Sequence, residues 1–171
     1  VRSVWQPVFS PDGATLYTAS SDGTAIAWDL SGDRRLGRRF TFTHDRGLSD
    51  WPDRHPGKFS PDGRLIAVGL KTEGVEIRRT RDPSRPDALL LSTFGEVTAL
   101  AFSPDGRVLA AVTKRGMATV WDLESRSLRH GPFQVASYAV GVGISADGTM
   151  LATAGGGGVK LWDAATGAAL G

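Results

Sequence analysis

Short apolar runs recur along this chain at 16–20, 65–69, 108–113 and 150–154. Each is too short for a helix and suits a strand. Leu65-Ile66-Ala67-Val68 is apolar at successive positions, so it would bury both of its faces. A second set of runs lies at 25–28, 75–78, 118–121 and 159–162. Turn signals separate it from the first set: Asp22-Gly23, Glu73-Gly74, Arg115-Gly116 and the glycines at 155–158. A looser set follows at 36–43, 88–94 and 128–135. With the apolar segments that end at Phe9, Phe59, Phe102 and Ile144, the pattern predicts repeated four-stranded antiparallel meanders and an all-β fold.

The repeat is explicit at one turn. Phe9-Ser10-Pro11-Asp12-Gly13 returns as Phe59-Ser60-Pro61-Asp62-Gly63 and as Phe102-Ser103-Pro104-Asp105-Gly106, with a weaker copy at Ile144-Ser145-Ala146-Asp147-Gly148. The copies are spaced by 50, 43 and 42 residues. Proline presets φ at the first corner, Asp favours the second, and Gly supplies a left-handed residue. That is the chemistry of a type I turn with a glycine bulge between antiparallel strands. In phase with it run Trp28-Asp29, Trp121-Asp122 and Trp162-Asp163. At the matching place in the second copy stands Arg78-Arg79, which reads as a decayed unit.

Three Trp-Asp pairs in register with three identical turns are too specific for chance. The chain resembles the WD40-repeat family over essentially its whole length, with degenerate, bacterial-type repeats. The period and the four strands per unit agree. The resemblance implies a β-propeller built of four-stranded antiparallel blades. Four units are expected: blade 1 over 1–43, blade 2 over 44–94, blade 3 over 95–135, and blade 4 over 136–171 with its outer strand incomplete. The family's His–Ser/Thr–Asp–Trp network is not complete in any blade. Asp22 and Trp28 are present in blade 1, while Thr43-His44 leads into blade 2, which lacks both Asp and Trp.

Composition narrows the chemistry. Cys is absent, which removes disulfides, thiolate metal sites and cysteine nucleophiles. Hydrophobic residues make up 40%, a globular value. No apolar run approaches a membrane span, and the first ten residues carry no charged-then-apolar leader. Lys+Arg is 20 against 18 Asp+Glu, too even a balance for a nucleic-acid binder. The basic residues are 16 Arg and only four Lys, a bias that fits a GC-rich, bacterial coding sequence.

Candidate functional residues fall in two places. The long interruption at 45–57 between blades 1 and 2 holds Trp51, Asp53 and His55, and Trp51 is either a contact residue or a plug against a blade. Arginines follow the first Trp-Asp at Arg34, Arg35, Arg38 and Arg39, and occupy the same place in blade 2 at Arg78, Arg79, Arg81 and Arg85. They suit an acidic peptide or phosphate groups, or form a solvated rim. His44, His55 and the nearby carboxylates match no rigid metal spacing. The histidines, His44, His55 and His130, sit at no recurring central position, so a Ser/His/Asp triad finds no base.

The function expected is that of a non-catalytic, cytoplasmic scaffold for protein or peptide partners, as part of a larger bacterial signalling protein. It would use no cofactor and bind neither nucleic acid nor membrane. The alternative is a propeller enzyme or small-ligand sensor working through the central channel. Four blades should form an open arc, completed by further blades or by a second copy of the chain.

Overall fold

The computed structural model describes residues 7–20, 24–32, 37–41, 57–70, 74–80, 89–93 and 95–170. Four antiparallel sheets succeed one another along the chain. Sheet 1 holds β1 (Val8–Phe9), β2 (Thr15–Ala19), β3 (Thr24–Asp29) and β4 (Gly37–Thr41). Sheet 2 holds β5 (Gly57–Phe59), β6 (Leu65–Gly69), β7 (Val75–Arg79) and β8 (Leu89–Leu91). Sheet 3 holds β9 (Val97–Phe102), β10 (Val108–Thr113), β11 (Met117–Asp122) and β12 (Ser127–Gln134). Sheet 4 holds β13 (Ala139–Ile144), β14 (Met150–Gly155) and β15 (Gly158–Asp163). Its fourth strand is only begun: Ala169 bridges Trp162, and Leu170 N–H donates to Leu161 C=O at 2.8 Å. Each sheet is an uncrossed meander, and no helix occurs among the described residues.

The turns form as their residues dictate. Gly13, Gly63, Gly106 and Gly148 all adopt φ between 67° and 72°, the left-handed conformation that side chains resist. In each turn the Ser hydroxyl donates to the Asp carboxylate and receives the N–H of the residue that opens the next strand. The fourth copy, with Ala146 in place of proline, makes the same bonds. Ser and Asp therefore carry the turn, and proline is dispensable to it.

Strand alternation decides the packing. On β10, Val108, Ala110 and Val112 face sheet 4, while Leu109 and Ala111 face sheet 2. All six residues of β10 are buried, as expected of a strand covered on both sides. The apolar core lies in three layers between successive sheets. Tyr17, Ala25, Phe59 and Ile66 join sheets 1 and 2. Ala67, Ile77, Leu109 and Trp121 join sheets 2 and 3. Ala110, Val120, Leu151 and Trp162 join sheets 3 and 4. Sheet 1 and sheet 4 share no such layer, and the result is an open propeller sector.

Candidate functional site

The meander sends two sets of connections to each end of the strands. Leu30 N–H donates to Ala14 C=O and Leu123 N–H to Arg107 C=O, so the first-to-second and third-to-fourth turns lie side by side. Carboxylates dominate this end. Asp29 accepts from the Ser31 backbone and hydroxyl, Asp122 from those of Ser125, and Asp163 from those of Thr166. These hydrogen bonds hold all three carboxyls below the usual range. The Ser103 hydroxyl and Arg107 N–H do the same to Asp105. The Ser145 hydroxyl, Thr149 N–H and Thr149 hydroxyl bring Asp147 down to about 2. The Asp of each Trp-Asp pair is thus a turn cap.

The tryptophans behave differently. Trp121 and Trp162 are buried, each against the sheet that precedes it in the chain. Trp162 Nε1 donates to Thr153 Oγ1 at 2.9 Å, and Trp28 Nε1 to Thr18 Oγ1 at 3.0 Å. The acceptor sits at the same second-strand position in both sheets. In sheet 3 that position is Ala111, and the nearby Thr119 hydroxyl is buried without a hydrogen-bond partner among the described residues. In sheet 2 the Trp position is Arg78, which lies opposite Ile66 and faces sheet 1. It pairs with Glu76, two residues earlier on the same face, and their side chains are 16% and 2% exposed.

The first strands line a concavity of about 310 Å³ at the propeller axis. Its walls include Val8, Phe59, Leu100, Phe102 and Val142, with Lys58 the one charged lining residue among the described residues. Among the described residues no carboxylate or histidine belongs to the lining, and none of them assembles a nucleophile–base pair there. No group of three metal-ligating side chains occurs among the described residues. No helix there is long and apolar enough to cross a membrane.

Comparison with known families agrees with this geometry. A profile of the WD domain, G-beta repeat, matches residues 1–29 and 129–163. The anaphase-promoting complex subunit 4 WD40 domain matches residues 57–142, half of the chain. The chain belongs to the WD40-repeat family. It is 30% identical over 127 residues to meiotic recombination protein rec14 of Schizosaccharomyces pombe, covering 71% of this chain and 37% of that protein. It is 32% identical over 143 residues to WD repeat-containing protein SL1-17 of Schistosoma mansoni, covering 83% and 44%. Pre-mRNA-processing factor 19 homolog 2 of Arabidopsis thaliana is 27% identical over 173 residues, covering 95% and 30%. The chain therefore spans less than half the length of these relatives, all of them eukaryotic. WD40 domains are generally non-catalytic and bind proteins.

Within this WD40 sector the structure places one of the partner residues expected from sequence. Arg79 is exposed at the carboxylate-rich end, at the register position that Asp29, Asp122 and Asp163 hold in the other blades. Arg34, Arg35, Arg81, Trp51, Asp53 and His55 lie outside the described residues. Arg78 faces inward with Glu76 and leaves the proposed rim. That pair was legible in principle, because opposite charges at i and i+2 of a strand share a face. The resemblance implies a second-strand Ser or Thr joined to the Trp, and the strand register identifies it as Thr18 and Thr153.

Proposed function

We propose that this WD40 sector is a non-catalytic scaffold for protein or peptide partners, and that it serves as the regulatory part of a larger, cytoplasmic bacterial signalling protein. The lining of the axial concavity carries the reading: among the described residues it is apolar apart from Lys58, and no carboxylate or histidine there sets up acid–base or nucleophilic chemistry. The Arg-biased composition supports the bacterial setting. Partners would be held by the arginines Arg34, Arg35, Arg79 and Arg81 at the Trp-Asp turns, through acidic groups, and by Trp51, Asp53 and His55 between blades 1 and 2.

Selection of displayed peptides against the chain tests this. Enriched peptides should be acidic, bind less tightly as salt rises, and lose at least tenfold in affinity to Arg79→Glu/Arg81→Glu. Trp51→Ala should weaken a loop-bound partner while leaving the melting temperature unchanged. A large loss of stability on Trp51→Ala would assign that ring to the core instead. Peptides whose affinity ignores both substitutions would defeat the assignment.

The same concavity favours one alternative, a small-ligand sensor. Its volume of about 310 Å³ falls at the lower edge of ligand-pocket sizes, and among the described residues its walls are apolar with the Lys58 ammonium. An apolar carboxylate that raises the melting temperature in wild type and not in Lys58→Ala would support that reading over the scaffold.

A further inference from the structure

The hairpins that follow the Trp-Asp pairs of sheets 3 and 4 are built alike. Their loops are 123–126 and 164–167, closed by Asp122 opposite Ser127 and by Asp163 bonded to Ala168. In each, the carboxylate accepts from the N–H and the hydroxyl of the third loop residue, Ser125 or Thr166. The fourth loop residue is left-handed in both. In sheet 4 it is Gly167, at φ 67°, which meets no steric penalty there. In sheet 3 it is Arg126, at φ 56°, the one residue other than glycine with positive φ among the described residues. A side chain in this conformation crowds its own carbonyl, so arginine strains a turn that glycine would relax.

The same hairpin departs from the repeat a second time. The outer-strand residue opposite the tryptophan is Gly37 beside Trp28 and Ala169 beside Trp162, but Leu128 beside Trp121. Leu128 shares the face of Trp121, which is turned toward sheet 2, and it is 54% exposed. One exposed leucine alone means little. Next to a strained arginine on the same hairpin, it is the second break in a local rule, and such breaks gather at functional surfaces. Most other charges at this end are already engaged. Asp62 pairs with Arg64, and Glu124 with Arg107. Arg129 lies against Asp122 and Asp163, and donates to Gly148 C=O at 3.4 Å. Among the described residues exposed Arg126 has no ion pair, nor has Arg79, which is exposed on the face of sheet 2 turned toward sheet 3.

We infer that Arg126 and Leu128 form a contact patch at the outer end of the joint between sheets 2 and 3, and that the patch takes an acidic segment of a protein partner, with a carboxylate on Arg126 and a neighbouring apolar side chain on Leu128. Charge decides the occupant: the carboxylates of this end are held by their own turns and by Arg64, Arg107 and Arg129, which leaves the charge of Arg126 and Arg79 for a partner. The guanidinium offers a donor fork that matches a carboxylate. Apolar contact at Leu128 excludes water beside that bond, and polar contacts at interfaces gain strength from such a surround. Arg79 adds a second cation from across the joint. The inference rests on the partner-binding reading and extends it to blade 3, where a strained backbone marks the residue.

Acidic peptides enriched by display against the full chain, then labelled and titrated, test it together with thermal unfolding. Arg126→Gly should raise the melting temperature, because glycine relaxes the turn, and should weaken these peptides about tenfold. Arg126→Asn tolerates the same φ and should weaken them as much, which excludes a loosened loop as the cause. Leu128→Ala should weaken them about fivefold and leave the melting temperature nearly unchanged. Arg115→Ala removes an exposed cation from the turn between β10 and β11, at the opposite end of the strands, and should leave the affinity as it was. A melting temperature that falls with Arg126→Gly, or falls steeply with Leu128→Ala, would assign these side chains to the fold's own packing and overturn the patch. Peptides that bind wild type and the hairpin variants alike, or that respond equally to Arg115→Ala, would overturn the patch alone. Failure to enrich any acidic peptide would defeat the partner-binding reading, and the patch with it.

Discussion

The aspartates at the turns are the most economical residues in the molecule. Asp147 accepts from Ser145 and from both the N–H and the hydroxyl of Thr149, and its carboxyl titrates at about 2. In the unfolded chain it would titrate near ~3.9. A carboxyl lowered on folding adds stability above its unfolded value and loses that contribution as pH falls through its folded value. Wild-type stability should therefore decline between about pH 4 and about 2. Asp29, Asp105, Asp122 and Asp163, all lowered, add to the same slope. Asp147→Asn removes one contributor. The variant should be less stable than wild type at pH 7, and the gap should narrow below about pH 4 until it nearly closes at the folded value. Urea midpoints measured in steps of pH check this, and a constant gap would contradict it. These turns were legible in the sequence because every group that makes them lies within six residues. Their bonds need no information from the rest of the fold.

At the scale of the blade, sheet 2 shows how a repeat changes its chemistry and keeps its shape. Its Trp position holds Arg78, which still packs toward sheet 1, and Glu76 on the same face pairs with it. From sequence the unit reads as decayed; in the structure it has exchanged a Trp–Thr hydrogen bond for an ion pair. The sequence could not show this by motif matching, because the exchange is visible only once β6 and β7 are in register. Burying charge is costly, and attraction repays it only while both partners remain. Glu76→Ala should therefore destabilise the chain by about 3–5 kcal/mol. Replacing both, as Glu76→Leu/Arg78→Met, should be neutral or stabilising by about 1–4 kcal/mol. A double-mutant cycle by urea unfolding measures the coupling. If Glu76→Ala and the double variant are equally destabilised, the pair is incidental to the joint.

At the scale of the whole molecule, the sheets form a line whose apolar layers lie between successive sheets, so stability should vary along it. The joint between sheets 2 and 3 is apolar and includes Trp121, buried to 3% exposure. The joint between sheets 1 and 2 carries the Glu76–Arg78 pair where the other joints carry tryptophan. Sheet 3 is also covered on both faces, with β10 buried from end to end. Local opening is cheapest where little apolar surface is lost, and such segments exchange their amide protons fastest. Hydrogen exchange should accordingly be slowest in Val108–Thr113 and in its partner Met117–Asp122, and faster in Thr15–Ala19 of sheet 1. Trp121→Ala empties the central joint and should cost about 3–5 kcal/mol. It should also bring exchange in sheet 3 close to that in sheet 1, because the protected centre is then no better packed than the edge. Uniform protection across the sheets in wild type would mean that the blades unfold as one unit and that the joint chemistry does not grade them.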